Sequence, residues 1–153
     1  MALHHSQRDI AATLSTVGHK DDTTTGPKGY PPGLLAANTY TDGDAFSIEG
    51  ARAGILTCMT GVATGSPDAQ AHVFTFQTSA DGTSGWTDYE GAEVTLTGNE
   101  KSARVGFSLG KLPAGHYYGR VKVVVGFTGG TAPKQSVCAH VALGGYEVLP
   151  VAR

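Results

Sequence analysis

The sequence predicts an all-β chain: an antiparallel β-sandwich of jelly-roll or immunoglobulin-like type, with about eight strands and an extended N-terminal arm. The composition favours this class, because only 16% of the 153 residues are charged and 22 are glycine, against roughly 25% charged residues and roughly 7% glycine in ordinary soluble domains. The second observation is a series of short segments that alternate apolar and polar residues between turn signals. The length fits a single domain of this kind.

The alternation begins near residue 45 and continues to residue 143. Within one of these segments, Phe74 and Phe76 fall on one face of the expected strand and Thr75 and Gln77 on the other, as in a half-buried strand. No helical pattern alternates with the strands, so a parallel α/β sheet is not expected. The predicted strands cover residues 45–48, 54–62, 72–78, 86–89, 93–97, 103–109, 117–127 and 137–143.

Residues 1–44 lack this alternation and are predicted to form the arm, with the sandwich domain spanning 45–153. The Pro/Gly-rich cluster at 26–33 excludes a helix or a central strand there. Two interpretations of residues 6–18 remain open: a short helix ending at Gly18, or an extended segment lying on a neighbour, which the β-branched residues favour. The arm residues predicted to contact a partner are Ile10, Leu14, Val17, Tyr30, Pro31, Pro32, Leu34, Leu35 and Tyr40.

The charge balance limits the possible partners. The net charge is -2, and the 11 lysine and arginine residues are scattered, so we expect no nucleic-acid partner, because such binding needs a basic surface. No stretch approaches the ~20 apolar residues of a spanning helix, so no membrane partner is expected. The two cysteines, Cys58 and Cys138, are expected to be buried free thiols, although a disulfide stays open if their strands are neighbours.

No pattern of catalytic or metal-ligating residues is found. The six histidines lack paired ligand spacing, and we expect them at the surface or in interfaces. Asp42, Asp44 and Glu49 lack the spacing of a calcium loop, and no serine lies in a nucleophile motif. We therefore expect no enzyme activity, no catalytic or metal site and no cofactor.

Aromatic residues offer one alternative. Trp86, Tyr89, Tyr117 and Tyr118 would suit a sugar-stacking platform on a β-sandwich, as in carbohydrate-binding modules, because flat aromatic rings pair with apolar sugar faces. The neighbours of Trp86 instead favour a cross-strand pair in the core. We expect Trp86 in the core.

Three segments resemble small head-associated virion proteins of tailed bacteriophages. FTFQTSADGTSGWTD (74–88) is similar to the hairpin of that family, in which an apolar strand is followed by Gln/Glu-Ser-Asp-Asp-Gly, an aromatic residue and Thr-Asp-Val. HYYGRVKVVV (116–125) resembles its Arg-Tyr-Val-Arg-Val strand. AHVALGG (139–145), followed by PVA (150–152), resembles its closing strand and Pro-containing tail. The resemblance covers residues 70–153, whereas the Pro/Gly-rich segment within 18–53 does not align.

The resemblance implies a capsid decoration or cement protein that binds across subunits of the major capsid protein and stabilises the head. It would be made in the host bacterial cytoplasm and would lie on the capsid surface of the virion. A homo-oligomer is expected, with a trimer as the natural assembly at threefold junctions. A neck, tail or fibre-attachment protein of the virion is the alternative within this class.

Overall fold

The computed structural model describes residues 15–18, 30–41 and 45–145, and within these residues the chain forms ten β-strands and no α-helix. Backbone positions alone are described for 15–18 and 30–33. The all-β prediction is confirmed. The described residues contain no helix that is long and apolar enough to cross a membrane. The strands are β1 (Ser15–Gly18), β2 (Tyr30–Leu35), β3 (Asn38–Tyr40), β4 (Phe46–Ser47), β5 (Ala53–Thr64), β6 (Ala69–Ser79), β7 (Thr87–Thr97), β8 (Ser102–Ser108), β9 (Tyr118–Thr128) and β10 (Lys134–Gly144), with a 3-10 turn at Leu109–Lys111.

The strands form two five-stranded antiparallel sheets. In sheet A, β1 and β2 lie one after the other along one edge of β10, followed by β5 and then β8. In sheet B, β3 and β4 lie in the same way along β9, followed by β6 and β7. The strand pairs enclose one another along the chain. The β6–β7 hairpin lies between β5 and β8, which pair with each other, and β9 and β10 then pair with strands of sheet B and sheet A respectively. This nesting is the arrangement of a jelly roll, with its first two strands each broken in two.

The core lies between the sheets and is built by the strand alternation. Along β5, Leu56 and Cys58 are buried, whereas Ile55 and Met59 point outwards. An aromatic cluster joins the sheets at one end, where the ring of Phe76 in sheet B lies 4.9 Å from that of Phe107 in sheet A. The other ring contacts of this cluster involve Phe46 and Tyr89.

The described parts of the N-terminal segment are strands of the sandwich. The helical interpretation of residues 6–18 is wrong for 15–18, which pair with β10, Val17 opposite Val141. Strand β2 adds to the same edge of β10, and β3 pairs with β9. We find Leu35 and Tyr40 partly buried against the core. A contact of this segment with a neighbouring subunit stays a prediction, as does the boundary before residue 45.

Candidate functional site

The two outward faces of the sandwich differ in chemistry, and we name each by its residues. The apolar face is the outer side of sheet A, formed by the outward residues of 53–59 in β5, 102–108 in β8 and 136–144 in β10, together with Leu34 of β2. The polar face is the outer side of sheet B around Gln77, Trp86, Asp88, Arg120 and Lys122. Both faces are broad surfaces rather than clefts, as expected for binding to a large partner.

On the apolar face, two large side chains of β5 lie beside small residues of β10, and His140 of β10 lies between these pairs, opposite Thr57. The exposed fractions of Ile55 and Met59 on β5 are 43% and 44%. In the register of the sheet, Ile55 lies opposite Ala142 of β10, and Met59 lies opposite Cys138. The charged residue among these outward positions is Arg104 on β8, beside Thr57. A nearly uncharged face with large exposed apolar side chains is typical of a protein-binding surface.

The two cysteines lie on opposite sides of sheet A. Cys58 is fully buried and pairs with Ala139, whereas Cys138 pairs with Met59 on the apolar face and is half-buried. Both thiols are free, and strands that place their side chains on opposite sides of one sheet keep them apart. Burial, and to a smaller extent the nearby Cys138, raises the pKa of the Cys58 thiol to about 12. Burial also raises the pKa of Cys138.

Hydrogen bonds connect the side chains of the polar face. Lys122 Nζ lies 2.6 Å from Asp88 Oδ2, and the amide of Gln77 donates to Asp88 Oδ1 at 2.7 Å. Arg120 Nε donates to Gln77 Oε1 at 2.8 Å. Desolvation alone would raise the pKa of Asp88, but the bonds from Lys122 and Gln77 outweigh it and lower this pKa below its ordinary value. Partial burial lowers the pKa of Arg120, and the Asp88 carboxylate opposes that shift.

Trp86 belongs to this polar face, so the expectation that it lies in the core is wrong. Its ring is half-buried, and the guanidinium carbon of Arg120 lies 4.2 Å from the ring centroid. Tyr89 lies in the core instead, where its hydroxyl donates to the backbone oxygen of Ser108 at 2.6 Å. A platform of four aromatic rings is therefore not formed, although Tyr117 and Tyr118 are exposed.

The predicted contact residues of the N-terminal segment are only partly placed. Ile10 and Leu14 lie outside the described residues, and the side chains of Val17, Tyr30, Pro31 and Pro32 are likewise outside what the structure describes. Leu34 lies opposite Ser136, at the rim of the apolar face, with an exposed fraction of 59%. The sequence analysis missed the apolar face. The signal was present, because the residues on both sides of β5 are apolar.

The histidines and acidic residues do not converge on a metal site. Within the described ranges, no group of three or more His, Cys, Asp or Glu side chains is placed to hold a metal ion. His72 is fully buried, which contradicts the expectation of surface or interface histidines at this position. Asp42 and Asp44, two of the acidic residues considered as calcium ligands, lie outside the described residues.

Comparison with known proteins adds no relative. No protein-family model matches the chain, and a search among curated proteins gives no match.

Proposed function

We propose that this chain is a structural protein of a tailed-bacteriophage head, a decoration protein that binds across subunits of the major capsid protein and stabilises the shell. It acts without chemistry of its own, on the outer surface of the virion. The observation that carries this proposal is the apolar face, because an outer sheet surface that has few charged residues and exposes Ile55, Met59 and Leu34 suits a protein that is covered by other chains while it works.

The resemblance of residues 70–153 to head-associated virion proteins supports the phage context. Its three segments correspond to the β6–β7 hairpin, β9 and β10. Jelly rolls occur both in viral capsids and in lectins, so the fold by itself favours neither. The contacts that distinguish them must come from the surfaces.

Shell stabilisation follows from where the protein binds. A protein that binds the assembled lattice more tightly than loose subunits shifts the equilibrium towards the lattice. Two modest contacts on neighbouring subunits reinforce each other through effective concentration. In this proposal the N-terminal segment makes the contact with the shell. Among the side chains of this segment that the structure describes, that of Leu34 is large, apolar and exposed.

Virions of the phage that encodes the chain provide the direct test. Quantitative mass spectrometry of purified particles should find on the order of hundreds of copies per particle if the chain decorates the head, whereas about six or about twelve would indicate a neck or tail ring. Particles without the gene should lose their genome at lower temperature. Absence of the chain from purified virions would contradict the whole proposal.

A matched pair of variants tests the predicted contact. Leu34 and Tyr117 are both large exposed residues, with exposed fractions of 59% and 50%, and Tyr117 lies beside sheet B, away from the apolar face. Added to particles that lack the chain, the Leu34→Asp protein should bind less and the Tyr117→Asp protein as wild type. Equal binding by all three would remove Leu34 from the contact.

Trp86 supports carbohydrate binding as a second candidate. Its half-buried ring lies against the guanidinium of Arg120, which donates to Gln77, and Gln77 donates to Asp88; an aromatic ring beside hydrogen-bonding groups is a combination that suits sugars. One face of the ring is already covered by Arg120. A glycan array with the purified chain should then give a signal that Trp86→Ala abolishes and Tyr117→Ala leaves unchanged. No signal from the wild-type chain would eliminate this candidate.

A further inference from the structure

We infer that the open edge of β8 binds an extended strand, residues 9–14, from a second copy of this chain. The contact is made by backbone groups in the plane of sheet A and not by the apolar face. It needs no capsid, so it stands or falls separately from the proposed function.

The hydrogen bonds of β8 define which of its backbone groups are free. Among the described strands, β8 pairs with β5 alone. Just after β8, Leu109 N donates to Arg52 O at 2.8 Å. Just before it, Lys101 O accepts from Thr60 N at 2.8 Å. Because the direction of bonding alternates along an antiparallel strand, the odd-numbered residues of β8 bond to β5 as well. The backbone groups that face the open edge belong to Ser102, Arg104, Gly106 and Ser108.

Three of these residues leave the edge open to a partner. All four are exposed, but the backbone oxygen of Ser108 already accepts a bond from Tyr89. A Cβ at Gly106 would have nothing within 4 Å, so no described residue crowds the middle of the edge. Ser102, Arg104 and Gly106 therefore offer backbone groups to an added strand, as in β-augmentation.

The other described sheet margins are protected against such addition. Strands β1 to β4 have six residues or fewer, and β2 carries two prolines. Strand β7 breaks its register with β6 between Asp88 and Glu93. Short strands, prolines and bulges are the usual protection of sheet edges. Strand β8 has no proline and stays in register with β5 over all seven of its residues.

Residues 9–14 have the pattern that this edge requires. Ile10, Ala12 and Leu14 fall on one side of an extended strand, where they would continue the inward row of β8 at positions 103, 105 and 107. The residues at 9, 11 and 13 then bond to β8. The charges also match, because Arg104 is the charged residue of β8 and Asp9, of opposite sign, is that of residues 9–14.

The distances select a second copy rather than the same chain. Ser15 of β1 lies in one row of sheet A with Phe107 of β8, with β10 and β5 between them. A strand beyond β8 is therefore four spacings from β1, about 19 Å at ~4.8 Å each. Crossing that distance takes about six residues at ~3.3 Å each, whereas Leu14 is directly bonded to Ser15. Residues 9–14 can thus lie at the open edge of another copy but not at their own.

Analytical ultracentrifugation of the purified full chain measures the association. At about 100 µM we expect a mass of two chains or more, because an arm that binds a neighbour closes into a reciprocal pair or a ring. Gly106→Pro removes an N–H that faces the edge and should weaken the association by at least about tenfold. Gly106→Ala is the matched control, since it keeps this N–H and has space for its Cβ; it should associate as wild type.

Two neighbouring proline variants test the orientation of the bound strand. In the proposed pairing the N–H of Ala11 faces β8, and that of Ala12 faces away from it. Ala11→Pro should therefore weaken the association by at least about tenfold, whereas Ala12→Pro should associate as wild type. Both positions precede β1, so the described strands keep their sequence and the difference reports the contact.

Hydrogen exchange measured by NMR locates the contact on β8. The amides of Arg104 and Gly106 should exchange slowly in wild type at about 100 µM and fast in Ala11→Pro. The amide of Val105 faces β5 and should stay protected in both proteins.

Several results would overturn the inference. A single-chain mass at about 100 µM would exclude a second copy, and slow exchange of Gly106 in that single chain would mean that the chain covers its own edge. Equal association of Ala11→Pro and Ala12→Pro, or association that survives Gly106→Pro, would show that the proposed strand pairing is wrong. If Gly106→Pro fails to fold, as judged by circular dichroism, the two arm variants and hydrogen exchange decide.

Discussion

His72 and Gln135 bond to each other across the middle of the sandwich, with 2.6 Å between His72 Nε2 and Gln135 Oε1. The first lies on β6 of sheet B and the second on β10 of sheet A, and neither is exposed. Because an amide oxygen can only accept, Nε2 carries the proton, and Nδ1 is left without a partner. The amide nitrogen of Gln135 donates to the backbone oxygens of Gly61 at 2.7 Å and Gly98 at 3.2 Å.

This pair predicts a non-additive effect on stability. Gln135→Met leaves the buried N–H of His72 without an acceptor, which should cost about 1–3 kcal/mol. Adding His72→Leu removes the unsatisfied donor as well, so the double variant should be more stable than Gln135→Met alone. Urea unfolding of wild type, the two single variants and the double variant measures the difference. Additive losses would show that the hydrogen bond does not couple the two sheets.

A glycine of β9 makes room for the central aromatic ring. A Cβ at Gly119 would lie 2.6 Å from ring carbons of Phe76 and 3.0 Å from Cγ2 of Ile48, whereas a Cβ at Gly106 of β8 would have nothing within 4 Å. Gly119→Ala should therefore cost about 1–3 kcal/mol through overpacking, and Gly106→Ala should be close to neutral. Thermal unfolding compares the two alanine variants. Equal melting temperatures would mean that the Phe76 ring can shift to accommodate the added methyl group at no cost in stability.

Trp86 should contribute far less to stability than a core tryptophan. Truncation in a core costs about 3–5 kcal/mol, but truncation of a partly exposed ring stacked on a guanidinium should cost about 1–2 kcal/mol. We expect Trp86→Ala to remain folded by circular dichroism, with a modest shift of the urea midpoint. Arg120→Ala in the Trp86→Ala background should then cost less than in wild type. If Trp86→Ala is unfolded at 25 °C, Trp86 contributes as much to stability as a core tryptophan and this prediction is wrong.

The loop before β7 predicts a dependence on pH. The backbone N–H and hydroxyl of Ser84, followed by the backbone N–H of Thr83, bond to Asp81 and hold its pKa far below the ordinary value of 3.8. Because the pKa of Asp81 is lower in the folded chain than in the unfolded chain, the ionised carboxylate stabilises the fold fully above about pH 4. This contribution to the free energy of unfolding is lost as the pH falls towards the pKa of the folded chain. Wild type should thus lose more stability than Asp81→Asn between pH 6 and pH 3. Parallel urea-unfolding curves for the two proteins across that range would contradict this.

Alternation predicted the sandwich strands because it reports which residues share a face. Phe74 and Phe76 are buried as predicted. It could not assign the faces of β5, where Ile55 and Met59 are as apolar as Leu56 and Cys58. Two apolar sides indicate that one of them faces outwards, but the pattern of β5 alone does not reveal which side turns inwards, so the sequence could indicate an outward apolar side without assigning its residues.

The misplaced residues depend on contacts distant in sequence. Pro31 and Pro32 argued against a helix or a central strand, and β2 is an edge strand of sheet A, where proline is tolerated because one row of N–H groups needs no partner; its pairing with β10 could not be read from the local sequence. Trp86 meets Arg120 only because β6 brings β7 and β9 together. His72 looked isolated because Gln135 lies 63 positions away.

The broken first strands of the roll have a consequence for how copies can join. β10 and β9 each carry two short strands along one side, β1 with β2 and β3 with β4, so the described part of that margin offers no long continuous ladder of backbone groups. Short margins resist the end-to-end recruitment of strands that produces fibrils. At this margin, recruitment of a strand from another copy is therefore disfavoured.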